Sequence, residues 1–216
     1  MQYVSKFGSD DNVGLRQVKR NVKDFMSPGR LGARERSYNK RVLVDPFNRI
    51  RTLYHFTDVR NVALIRELGG LYPLAELEDA KIEIPAPGSD DVSRYTDRRS
   101  NLHRYVHLCF RDNHPMQFRA AEGGRIGQTI FLQIKPDVLQ WEGVLFCPVM
   151  ANTTGATFYS MEQARSMIDF EVLYPPSGFI PYTDPSVQQR LQAAEKYEIL
   201  VPRAIPLDLI RNLPNG

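Results

Sequence analysis

The sequence predicts one α+β domain of mostly short strands. Three observations carry this: a composition of 42% hydrophobic, 25% charged and 10% aromatic residues over 216 positions, short apolar strand patterns alternating with short helical ones after residue 50, and no internal repeat. The profile excludes a disordered, collagenous or solenoid chain. No apolar run reaches the roughly 18–20 residues that cross a bilayer, and the N-terminus lacks the apolar core of a signal peptide, so a cytoplasmic protein without membrane association is expected.

The elements follow from local signals. Leu15–Met26 (LRQVKRNVKDFM) has helical spacing, with Leu15, Val18, Val22 and Phe25 on one stripe, inside a first 50 residues otherwise marked by turns at Ser27-Pro28-Gly29 and Asp45-Pro46. RTLYHF (51–56) reads as a strand, Thr57-Asp58 as the cap of the helix VRNVALIREL, and Gly69-Gly70 as its stop. Residues 81–104, rich in Pro, Gly, Ser and charge, read as a long loop, either a functional lid or binding loop or a disordered segment. YVHLCF is a core strand, followed by a turn at Arg111–His114 and a short helix over Pro115–Ala121. TIFLQI and GVLF are further strands, and Ser160 with Gln163 forms a capping box for MEQARSMI. Asp184-Pro185 opens a last helix through Ala194, and YEILV and IPLDLIRNL complete the domain.

Charge divides the chain. The net +3 combines 11 basic and 5 acidic groups in residues 1–50, so +6, with 17 basic and 20 acidic in residues 51–216, so −3. A basic extension before a near-neutral domain suits a polyanionic partner, since phosphate contacts release counterions, and equally suits a solvated tail. Cys109 and Cys147 sit inside apolar runs, too few for a disulfide framework and wrongly spaced for zinc, and read as buried inert thiols. Walker, Rossmann, HExxH and GxSxG motifs are absent.

What remains is polar residues set on apolar strands, where burial makes them informative. Glu198 begins a strand flanked by Tyr197 and Ile199–Val201, and is either paired structurally or held for catalysis. His55 lies in LYHF and His107 in YVHLCF; each is either a backbone-bonded core histidine or a functional one. Asn61 follows His55 on the next helix, and Tyr105 and Met116 bracket a strand, turn and helix that suggest a pocket wall.

Taken in order, LYHFTDVRNVALIRELG, NLHRYVHLCFRDNHPMQFRAAEGG, TIFLQIKPDVLQWEGVLFCPVMANTTGATFY and AAEKYEILVPRAIPLDLI resemble the DarT-type NAD-dependent ADP-ribosyltransferase toxins, and more distantly the diphtheria-toxin-like and PARP-like transferases. The resemblance spans residues 51 to about 213. It implies the ADP-ribosyltransferase fold, a split and mostly antiparallel sheet with flanking helices over 51–216, behind the basic extension 1–50. It implies NAD as co-substrate and no metal, single-stranded DNA (or RNA) as partner, a macrodomain antitoxin, and a monomer acting as a toxin of a toxin–antitoxin or phage-defence system. ADP-ribosylation of RNA or protein, or a non-catalytic nucleic-acid-binding module on the same fold, are the alternatives.

Residue by residue, the resemblance puts His55 and Thr57 in the nicotinamide-ribose pocket, Asn61 beside them, and Tyr105, His107 and Asn113 on the NAD-binding element. Glu198 falls on the transferase glutamate. Residues 144–159 become the loop that presents the target, with Asn152, Thr153 and Thr154 facing nucleic acid and Phe158 and Tyr159 as stacking platforms. Many relatives have arginine where this chain has Asn113, in an RxPM pattern that here reads NHPM; Arg111 or His114 is left to take that role, and the planar fork of Arg111 is the better match to a diphosphate. Chemically, a carboxylate at Glu198 would stabilise positive charge developing at the ribose and could also serve as general base toward the acceptor nitrogen.

Overall fold

The computed structural model describes residues 45–214. The chain divides into two units, Met1–Leu43 and Val44–Gly216. The helix expected at Leu15–Met26 lies outside the described residues. Asp45 accepts from the Phe47 N–H and starts a 3-10 turn, Pro46–Arg49, which buries Phe47 edge-on against Phe146 and Phe170.

A five-stranded antiparallel sheet forms the body: β1 (Leu53–Asp58), β3 (Val106–Cys109), β4 (Thr129–Ile134), β5 (Leu145–Cys147) and β6 (Glu198–Val201), in the order β4-β1-β3-β6-β5. A second, two-stranded sheet pairs β2 (Gly70–Leu71) with β7 (Ile205–Pro206). Gly70 is required there, because a Cβ would lie 2.3 Å from the Ile205 carbonyl oxygen. Leu53, Leu132, Ile134, Phe146, Ile199 and Val201 fill the main core, each fully buried.

The split in the sheet has a definite place. β1 pairs with β4 over its whole length, Leu53↔Ile134 through Asp58↔Thr129, but meets β3 at one pair only, Tyr54↔Cys109. Beyond that pair the two strands part. The backbone groups freed by the parting need other partners, and the carbonyl of His107 accepts from the Nδ1–H of His55 at 2.9 Å.

Seven α-helices flank the sheet among the described residues: α1 (Val62–Glu67), α2 (Leu74–Asp79), α3 (Asp91–Arg99), α4 (Pro115–Glu122), α5 (Met161–Met167), α6 (Phe170–Leu173) and α7 (Pro185–Ala194). The boundaries of α4, α5 and α7 follow their caps: His114 before Pro115, the Ser160/Gln163 box, and Asp184 before Pro185. Strand β1 runs two residues further than LYHF suggests, so Asp58 caps a 3-10 turn, Val59–Asn61, ahead of α1.

The reading of 81–104 as an irregular loop is corrected. It contains α3 and a further 3-10 turn at Leu102–Arg104. Asp90 caps α3 by accepting from the Ser93 N–H, and Ser93 is the one buried residue of the helix. Its only apolar residues, Val92 and Tyr95, are exposed, so it carries no core-facing apolar stripe, which is why the pattern misses it. The sequence pattern also misses α2 and α6, six and four residues long, too short to show a period.

Candidate active site

Where β1 and β3 part, a cleft of about 260 Å³ opens. Six of the expected residues line it: His55 and Thr57 from β1, Asn61 before α1, Tyr105 and His107 at β3, and Glu198 at the start of β6. Asn152 lines it too, at the junction with a second groove. That groove also gathers Thr153, Thr154 and Phe158, facing Tyr95, Thr96 and Arg99 of α3. Tyr95 is 61% exposed, and the Arg99 guanidinium lies 5.8 Å from its ring centre.

Three expected residues stand elsewhere. Tyr159 is drawn into the sheet edge by reciprocal backbone bonds with Phe146 and packs on the core, so it offers no stacking face to the groove. Arg111 does not line the cleft; it reaches Glu195 at 3.6 Å and the Tyr182 hydroxyl at 3.4 Å. Asn113 is exposed and outside the lining. From the NHPM segment it is His114, 97% buried, and Met116 that enter the cleft wall.

Glu198 is 6% exposed and held from two sides. The His107 Nδ1–H donates to Oε2 at 2.7 Å, while its Nε2–H donates to the Leu102 carbonyl at 3.2 Å. An imidazole that donates from both nitrogens is a cation. Burial alone would push His107 down, but the hydrogen bond and charge of Glu198, with Asp97, hold it at about 9. Burial likewise works against the Glu198 anion, and His107, aided by the nearby His114, outweighs it and lowers the carboxyl below its ordinary value. Glu198 is therefore a persistent anion.

The two other histidines of the cleft, His55 and His114, are neutral. Burial lowers both, against the His107 carbonyl bond in one and the Glu198 charge in the other. His55 spends its Nδ1–H on the His107 carbonyl, which leaves the Nε2 lone pair free to accept a ribose hydroxyl or amide donor. His114 accepts the Met116 N–H at Nδ1 (3.3 Å), so its proton is on Nε2, buried without a partner and 3.7 Å from Glu198 Oε1. Such an orphan donor costs about 1–3 kcal/mol and is tolerable where a carboxylate is one small shift away.

Asn61, in the cleft lining, is also held by three hydrogen bonds of its own. Its Nδ2 donates to Thr57 Oγ1 (3.0 Å) and the Ala86 carbonyl (2.8 Å), and its Oδ1 accepts from the Ala86 N–H (2.9 Å). Asn61 thus pins the 80–89 segment over the cleft.

Asp97 escaped notice in the sequence. It lines the cleft from α3, four residues after Ser93 and on the same face. Its place in the cleft depends on the helix, whose one local sign in the sequence is the Asp90 cap. Among the described residues no three His, Cys, Asp or Glu side chains are grouped to hold a metal ion, and no helix is long and apolar enough to cross a membrane.

The family model described as "ssDNA thymidine ADP-ribosyltransferase, DarT" matches residues 54–213, which contain every cleft residue named above. The chain belongs to the DarT family. It is an NAD-dependent ADP-ribosyltransferase of α+β fold, with NAD as co-substrate. DarT from Thermus sp. 2.9, solved with ADP-ribosylated ssDNA, is 18% identical with a TM-score of 0.53, over 74% of this chain and 79% of that one. DarTG from Thermosipho africanus, solved with ADP-ribose, is 21% identical with a TM-score of 0.55, over 74% of this chain and 42% of that one. At these identities the likeness is one of fold. No curated protein matches the chain.

Proposed function

We propose that the cleft binds NAD with its nicotinamide end between His55 and Glu198, and that the adjoining groove delivers a thymidine of single-stranded DNA to the same point. The observation that carries this reading is the His107–Glu198 ion pair at the floor of the split, a permanent anion where positive charge develops as the nicotinamide–ribose bond breaks. The cleft suits the co-substrate: Glu198 supplies the anion, His55 Nε2 an acceptor, and Phe56 and Leu108 an apolar wall.

The groove suits a single strand. Phe158 and the exposed Tyr95 are aromatic faces, Arg99 is a cation, and Thr153 and Thr154 are hydroxyl donors. The +6 charge of residues 1–50 supports a phosphate-binding role for the extension. The chain acts as a cytoplasmic, monomeric toxin whose product is removed by a macrodomain antitoxin; the name DarTG of the Thermosipho chain supports such a pairing.

Mass spectrometry of single-stranded DNA, RNA and protein after incubation with NAD tests the reading. ADP-ribose on thymidine of DNA alone is the expected result. Label on RNA or protein alone overturns it.

A further inference from the structure

We propose that α3 couples the two substrates: NAD in the cleft seats the helix, and the seated helix binds single-stranded DNA more tightly in the groove. The inference rests on the reading of the cleft as an NAD site and of the groove as a DNA site.

One short helix serves both sites. Ser93 and Asp97, four residues apart, line the cleft, while Tyr95, Thr96 and Arg99 line the groove. The segment that leads into α3 belongs to the cleft as well, through Pro87, Gly88 and Ser89. A ligand that orders the helix from one side therefore sets a wall of the other site.

The helix is held weakly enough for a ligand to matter. Among the described residues the apolar core draws none from 91–99, and Val92 and Tyr95 are 75% and 61% exposed. The side-chain ties from α3 and its cap to neighbouring segments are polar. Arg98 pairs with Glu78 of α2, and Arg94 Nε donates to Ser89 Oγ at 3.3 Å. Arg125 lies 3.7 Å from the capping Asp90, and its Nε donates to the Gly88 carbonyl at 3.3 Å. Ion pairs this exposed contribute little to stability, and an element without apolar anchorage opens before the core does. If only a fraction of free molecules has α3 seated, each substrate binds with its intrinsic Kd divided by that fraction, and saturation with one substrate returns the other to its intrinsic Kd. The coupling factor is the reciprocal of the seated fraction and is the same in both directions. Contact between bound NAD and the incoming base would also couple the two, but without passing through the ties of α3.

The test separates these routes. Glu78→Gln breaks the tie to Arg98 and Arg125→Gln the tie to Asp90; neither residue lines the cleft or the groove, and the two variants remove charges of opposite sign. Binding of a thymidine-containing single-stranded oligonucleotide to the full chain is titrated with and without a saturating carbocyclic NAD analogue, whose bond to nicotinamide does not break. In wild type the analogue should lower the oligonucleotide Kd about fivefold or more. Without the analogue both variants should bind about threefold or more weakly than wild type, and with it within about twofold, so that their coupling factors exceed that of wild type. A wild-type factor of one overturns the proposal. The wild-type factor in either variant overturns it too, since the coupling would then be direct contact, and so do shifts of opposite sign, which would be electrostatic. If a variant fails to fold, amide hydrogen exchange of wild type decides: the analogue alone should slow exchange across 91–99, and unchanged exchange overturns the proposal. Wild-type protein that binds no analogue, or no oligonucleotide in either state, defeats the functional reading itself.

Discussion

His107 and Glu198 are diagonal neighbours across β3 and β6, not opposite ones. The register sets Cys109 against Glu198 and His107 against Leu200. Because side chains alternate faces, His107 and Cys109 share a face with Glu198 and Leu200, and a diagonal reach across the pleat closes the 2.7 Å bond. The cation that fixes the glutamate therefore comes from the strand bordering the split, and the parting of β1 from β3 exposes the pair to the cleft.

The pair should shape stability against pH. His107 is raised from 6.5 to about 9, so its contribution is complete below about pH 6.5 and is lost as pH rises through about 9. Glu198 is depressed from 4.5, so its contribution is complete above that value and is lost as pH falls through its lowered one. Both shifts describe one interaction. With His107 31% exposed, solvent limits the loss between pH 7 and 10 to about 1–2 kcal/mol. Urea midpoints across pH should show this decline in wild type, and His107→Gln should flatten it.

Glu198→Gln should fold and bind NAD, with kcat for nicotinamide release about 10²–10³-fold lower, because the anion acts on charge that exists in the transition state. Glu198→Ala should be less stable than Glu198→Gln, since it strands the His107 cation in a half-buried site. Calorimetric NAD binding beside kinetics of both variants checks the pair of statements. Near wild-type turnover by a folded Glu198→Gln would remove the carboxylate from the chemistry.

His55→Ala should raise the Kd for NAD about tenfold, the equivalent of one neutral hydrogen bond. His55→Asn, whose amide can still donate toward the His107 carbonyl, should keep the fold while lacking the Nε2 acceptor. Unchanged affinity in both variants would make His55 a bridge between β1 and β3 and nothing more.

Asn61→Ala should cost about 2–4 kcal/mol, since it strands the buried Ala86 N–H and carbonyl along with Thr57 Oγ1. The 80–89 segment should then exchange its amide hydrogens faster, and NAD affinity should fall as a consequence. A loss of affinity without loss of stability or protection would instead put the Asn61 amide on the co-substrate.

Much of the chain was legible because its signals are local. Caps at Ser160 and Asp184 and the first-turn Pro115 set helices, and short apolar runs set β3, β4 and β6, since both depend on neighbours a few residues away. The sequence by itself also determined that Glu198, His55 and His107 are costly residues on apolar strands, and the ordered blocks carried the family resemblance. Only the tertiary structure decided their relations. The parting of β1 from β3, the diagonal contact of His107 with Glu198 across 91 residues, and the tautomers of His55 and His114 depend on register and on backbone groups distant in the chain. Polar α3, with Asp97 on one face and Tyr95 and Arg99 on another, has no core-facing apolar stripe to read, so its place in the site emerges only when the helix is folded against the cleft.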